Sequence, residues 1–317
     1  MTYRPTAIDD NSNNLPQLPG WVTSGRAETL ETVAFRSGAA LTVVDQLICD
    51  PRQGVPGKLL ANRLALSAAT ATSKLEGRLA READIRDAYH LTPPGEMRGP
   101  DGDLLAFWRD AGRLRTSGTG EIADLVGADF AGEVGVWLDL GLERVRTHGP
   151  LAGSVAVLRA VLAADDRAER VACLLSDVTL AQAMKWKQVL PVSAQRLTKA
   201  VLRDLAADGQ GAELGVQARI LESIEETIGV ARDFVQRGAA LQAIAPKLRA
   251  KGSDAAVTVF LSEDAVAPST MLSPMIQGTS YPMTDRAARR FCDRLVDLGV
   301  ARELTGRSTF RLYGIVR

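Results

Sequence analysis

Arg286, Arg289, Arg290 and Arg294 crowd into nine residues near the end of the chain. Guanidinium groups present a planar fork of donors that suits phosphate oxygens and the edges of guanine. Between them Ala287, Ala288, Phe291, Leu295 and Leu298 repeat at spacings of three and four, which predicts a helix with one apolar stripe. The arginines fall largely away from that stripe, so a packed helix would offer them on its free face. Arg307 follows at the tip of a predicted hairpin, flanked by Arg302 and Arg311. From Thr284 to Arg317, eight arginines stand against the four acids Asp285, Asp293, Asp297 and Glu303. The whole chain balances 38 basic against 38 acidic residues, so any nucleic-acid surface has to be a local patch of this kind.

A second constellation is Thr72-Ser73-Lys74-Leu75-Glu76-Gly77, in which a hydroxyl residue is followed four positions later by a glutamate and then a glycine. Other chemistry finds no ligands. The only histidines are His90 and His148, and Cys49, Cys173 and Cys292 have no metal-site spacing. The thiols read as free cysteines of a reducing compartment. No phosphate loop of the GxxxxGK[ST] or GxGxxG kind occurs. Glu222, Glu225 and Glu226 could gather carboxylates on one helix, but such a set usually reads as a solvated acidic face. Trp186, between Lys185 and Lys187, is expected to pack inward while the lysines reach to water. Trp108 reads as core. No catalytic residue, metal or cofactor is expected.

The elements that would position these residues are helices. The chain has 317 residues, 46% of them hydrophobic and 5% aromatic. That balance favours helix over sheet and supplies a sizeable core. Met1 to Gly20 is polar and proline-bearing, without a signal-peptide pattern, and the first 22 residues are expected as a flexible tail. Helical periodicity runs from Arg26 to Cys49, Lys58 to Gly77, Ala80 to His90, Asp103 to Leu114 and Glu121 to Leu125. It resumes at Glu133 to His148, Ala152 to Ala164, Ala168 to Lys187, Gln195 to Leu205 and Leu214 to Ala250. The segment Val189 to Val192 is left open between strand and buried turn. Pro268, Pro274, Gly278 and Pro282 break up the stretch before the arginine helix. Thr284-Asp285 caps that helix and Gly299 ends it. Val300 to Leu304 and Thr309 to Ile315 then read as a hairpin turning at Gly306, with Val300, Phe310 and Leu312 on its apolar side. No long apolar run spans a membrane.

Several blocks together resemble a family numbered 1403 among domains of unknown function. They are Asn62-Arg63-Leu64-Ala65-Leu66, Leu75-Glu76-Gly77-Arg78, Ile85-Arg86-Asp87-Ala88 and Ile244 to Gly252. Asp285 to Arg290, Glu303 to Arg307 and Phe310 to Gly314 complete the set. The resemblance implies an alphaproteobacterial, often plasmid-borne protein and no established activity. The tail from Leu295 to Arg307 also looks like the winged helix that ends many Fic-type nucleotide transferases. In those proteins a motif spaced like Thr72, Glu76 and Gly77 is inhibitory, its glutamate holding a catalytic-loop arginine. The His-Pro-Phe-x-x-Gly-Asn-Gly-Arg loop of such enzymes is missing here, so the likeness implies a catalytically degenerate relative.

The resulting expectation is a mainly α protein: a helical domain over 23–252, then a winged helix-turn-helix with a short β-hairpin over 253–317. The function expected is that of a cytoplasmic DNA-binding accessory or regulatory protein, with duplex DNA as partner and a second copy or a protein as a further candidate partner. Arg286, Arg289, Arg290, Arg294, Arg307 and Arg311 are the expected contacts. A degenerate Fic-like protein or a helical scaffold in a plasmid-encoded complex are the alternatives.

Overall fold

A computed structural model describes residues 15–315 apart from 26–27, 94, 117 and 249–250. The backbone of these residues forms fourteen α-helices. They are α1 (Gly20–Thr23), α2 (Leu30–Cys49), α3 (Gly57–Leu75), α4 (Glu82–His90), α5 (Gly99–Ala111), α6 (Gly120–Val126) and α7 (Ala128–Ala131). The rest are α8 (Val134–His148), α9 (Pro150–Ala164), α10 (Glu169–Ala183), α11 (Lys199–Ala206), α12 (Ala212–Ile244), α13 (Ser253–Phe260) and α14 (Asp285–Asp297). Two short strands, β1 (Arg302–Glu303) and β2 (Tyr313–Gly314), pair antiparallel. No helix among the described residues is long and apolar enough to cross a membrane.

The chain divides into two units. The larger comprises Leu18–Asp45 and Ala61–Ile228, the smaller Met1–Gln17, Gln46–Leu60 and Gly229–Arg317.

In the larger unit α8, α9 and α10 pack mutually and α4 packs on α5. The α8–α9 corner is written by Gly149-Pro150. Gly149 adopts φ 90° and Pro150 opens α9, where its missing N–H is no loss. Small residues set how closely these helices approach. A Cβ on Gly141 would overlap the side chains of Val157 and Thr179, and one on Gly153 would overlap Val145. The segment Val189 to Val192 is buried irregular chain, neither strand nor turn, and leads into the turn at 193–196. It is pinned by Asp177, whose Oδ1 accepts from Val192 N at 3.2 Å, Ser193 N at 2.9 Å and Ser193 Oγ at 2.7 Å. Ser176 and Ser193 hydroxyls share a 3.0 Å hydrogen bond, and Ser154 Oγ donates to Ser176 O at 3.0 Å. Burial pushes the Asp177 carboxyl up to about 7, outweighing the three donors that hold it down. Trp186 is buried as expected and donates to Asp45 Oδ1 at 2.9 Å.

The acidic trio of α12 is not a bare solvated face. Glu225 accepts two guanidinium nitrogens of Arg36, Glu226 accepts Arg196, and Glu222 lies 3.9 Å from Arg219. Cys49 is exposed, and Cys173 and Cys292 are buried.

In the smaller unit part of the expected tail is anchored. Leu15 is buried, and Arg232 donates to the carbonyls of Leu15 and Pro16 at 2.6 and 3.0 Å. Residues 1–14 of that segment lie outside the described residues. The proline-broken stretch forms one π turn, Pro268–Leu272, which packs on α14. Val266 and Tyr313 exchange both backbone hydrogen bonds, at 2.7 and 3.0 Å. Tyr313 thus lies between Val266 on one side and Glu303 on the other.

Candidate nucleic-acid interface

Helix α14 begins where the hydroxyl of Thr284 accepts from Ala287 N at 3.3 Å, and Gly299 follows its end with φ 73°. Ala288, Phe291, Cys292 and Leu295 are buried beneath it, and Phe291 meets Phe260 of α13 with centroids 6.3 Å apart. This apolar contact fixes the rotation of the helix. Arg286, Arg289, Arg290 and Arg294 are consequently all exposed.

The structure then sorts five of the six predicted arginines into two sets. Arg286, Arg290 and Arg294 follow one another at four-residue intervals and line a cavity of about 710 Å³ with Thr284, Ala287 and Phe291. Its other contributors are Lys247 and Leu248, which follow α12. Four cations thus line this groove and no carboxylate does. None of these three arginines has an ion-pair partner among the described residues. Like charges so placed repel, and a bound anion removes that repulsion.

Arg289 is turned elsewhere. It pairs with Asp285 at 2.9 Å and joins Arg311 around a second cavity of about 420 Å³ that also contains Asp293 and Tyr313. Arg311 lies 3.7 Å from Asp293, whose Oδ1 accepts from the Tyr313 hydroxyl at 2.9 Å. Arg311 Nε donates to the Arg307 carbonyl at 2.9 Å. Arg307 is exposed and lines neither cavity.

The hairpin differs from its expected form. Only two residues of each strand pair, and Phe310 is not on the apolar side. It is 73% exposed with φ 54°, while Leu312 is fully buried. The turn is organised by a carboxylate instead. Glu303 accepts from Thr305 N at 2.9 Å and Gly306 N at 2.8 Å, and from the Thr305 hydroxyl. Burial raises the Glu303 carboxyl, but those donors and Arg311 together bring it below its ordinary value.

Lys247 was not singled out by its sequence. The available signal was the basic run Pro246-Lys247-Leu248-Arg249 at the end of α12, in which Arg249 lies outside the described residues.

Thr72, Glu76 and Gly77 have roles at the end of α3. The Thr72 hydroxyl is fully buried and accepts from Trp108 Nε1 at 3.1 Å. Glu76 is held between Arg78, at 2.7 Å, and Arg170, whose Nε donates at 2.6 Å. Gly77 takes φ 78°, and Arg78 N donates to Ser73 O at 2.7 Å, which closes the helix in a Schellman turn. Helix ending and core packing therefore account for the spacing.

A family profile covers residues 6–315, nearly the whole chain. The chain is a member of the family described as protein of unknown function (DUF1403). No curated protein is matched by this DUF1403 chain. Among the described residues no group of three or more His, Cys, Asp or Glu side chains is placed to hold a metal ion.

Proposed function

We propose that this protein is a DNA-binding accessory or regulatory protein, and that its C-terminal segment acts as a winged-helix module. The observation that carries the reading is the groove lined by Lys247, Arg286, Arg290 and Arg294 with no carboxylate among its lining residues. Four residues of α-helix rise about 6 Å, comparable with the separation of consecutive phosphates along a strand. Three arginines at that interval match a run of phosphates better than they match scattered base edges. The order of elements supports the module. Helix α13, the Val266 pairing, the π turn, α14 and the β1–β2 hairpin follow one another as they do in a winged helix. In that arrangement α14 stands where the reading helix would, and Arg307 sits on the wing.

Backbone contact of this kind is largely independent of sequence. The test is binding of the purified full chain to mixed-sequence duplexes at low salt, by fluorescence anisotropy. Wild-type protein binds, and the Arg286→Ala/Arg290→Ala/Arg294→Ala variant loses most of its affinity while keeping its helical circular dichroism. Equal affinity of the two proteins, or no binding at micromolar concentration, refutes the reading.

A further inference from the structure

A different cavity, of about 610 Å³, lies wholly within the larger unit. Its volume falls in the range of small-molecule sites, roughly 300–1,000 Å³. One face of α3 forms its floor. Ser67, Thr70 and Ala71 are small and leave the space open, while Arg63 and Lys74 flank them. Eleven residues of helix separate those two cations, about 16 Å of rise. The wall is the segment Gln195 to Lys199, with Arg219 and Glu226 from α12.

The lining carries five cations, Arg63, Lys74, Arg196, Lys199 and Arg219, against Glu82 and Glu226. Most of these charges are already engaged. Arg63 pairs with Glu82, Arg196 with Glu226 at 2.7 Å, and Lys199 with the buried Glu169 at 3.0 Å. Among the described residues Arg219 has only the loose contact with Glu222, at 3.9 Å. Lys199 also donates to the carbonyl of Leu75 at 3.2 Å, which places its ammonium at the end of α3, whose last turn also carries Lys74. Lys74 itself has no partner among the described residues, and neither does the Ser67 hydroxyl. The cavity therefore offers an uncompensated ammonium and a fixed one from the same end of α3. Its floor also offers the Ser67 hydroxyl, and its sides offer two ion-paired carboxylates, Glu82 and Glu226, that accept but cannot donate.

We infer that this cavity binds a phosphorylated, hydroxyl-bearing small molecule of the sugar-phosphate or nucleoside-monophosphate class. Lys74 and Lys199 hold its phosphate, and Ser67, Glu82 and Glu226 take its hydroxyl groups. The two carboxylates disfavour a ligand that is anionic throughout, which separates this site from the groove on α14. The inference does not depend on nucleic-acid binding.

The experiment is thermal denaturation and isothermal titration of the full chain with ribose 5-phosphate, adenosine monophosphate and inorganic phosphate, each to about 10 mM, where a ligand selective for the folded state raises the melting temperature. One of the two phosphate esters raises it in a concentration-dependent manner, and inorganic phosphate does so less. Lys74→Glu, at an exposed position, weakens that binding about tenfold or more, as does filling the floor with Ala71→Leu. Arg290→Glu, in the α14 groove, leaves it unchanged. No shift with either ester, an equal shift with inorganic phosphate, or a shift that survives Lys74→Glu overturns the inference.

Discussion

Replacing Asp177 with asparagine removes a titration from the core of the larger unit. The carboxyl is buried completely, and burial carries it from its ordinary 3.8 up to about 7. Between those values the folded chain holds a proton that the unfolded chain has released. Stability therefore falls as pH rises through that window, and the loss is complete above the folded value. Three pKa units at about 1.4 kcal/mol each set a ceiling on the order of 4 kcal/mol. Asparagine keeps the acceptor oxygen for Val192 N, Ser193 N and Ser193 Oγ and carries no charge at any pH. It mimics the protonated acid. Urea denaturation of wild type and Asp177→Asn at pH 5 and pH 8 isolates the effect, because every other titration is common to both. At pH 5 wild type has already passed about one of those three units, so from pH 5 to pH 8 the variant should gain on wild type by about 3 kcal/mol, the share of the window above pH 5. A wild-type-minus-variant difference that is the same at both pH values would show that Asp177 does not titrate in this window.

Two further substitutions test the packing that positions the sites. Gly141→Ala places a methyl group against Val157 and Thr179, and this overpacking should cost about 1–3 kcal/mol in chemical denaturation. Wild-type stability in that variant would mean that α8, α9 and α10 are less closely packed than described. Thr284→Ala removes the N-cap of α14 and should cost about 0.5–2 kcal/mol. It should also weaken duplex binding, since the cap fixes the first turn that carries Arg286; unchanged stability and affinity together would contradict that role.

Much of the helical order was legible because the chain punctuates itself with glycine and proline. The breaks at Pro56-Gly57, Gly77, Gly127 and Gly149-Pro150 fall within a few residues of the observed helix ends. The amphipathic stripe of α14 was equally plain, since Phe291 and Leu295 recur among charged residues. Less legible was anything set by partners distant in sequence. The arginines of α14 look alike in the sequence. Only the rotation fixed by Phe260 and Phe291 separates Arg286, Arg290 and Arg294 from Arg289. Lys247 reaches the same groove from the turn after α12, and the basic run around it does not show which surface it joins. The hairpin misled for a similar reason. Alternation suggested a buried Phe310, whereas the turn is built by Glu303 accepting from Thr305 and Gly306, and the ring is left outside. Asp177 gave no sign of its burial, because a lone acid inside an apolar helix is recognisable only once Ser193 is seen to meet it.

The groove on α14 is tested most directly by the salt dependence of duplex affinity. Each phosphate neutralised contributes about 0.9 to the slope of log affinity against log salt. Four cations, Lys247, Arg286, Arg290 and Arg294, predict a slope near −3.6, or roughly a 150-fold loss of affinity between 50 and 200 mM salt. The triple arginine-to-alanine variant retains only Lys247 and should fall to a slope near −1. A wild-type slope close to zero, or the same slope in wild type and variant, would contradict the assignment of this groove to the phosphate backbone.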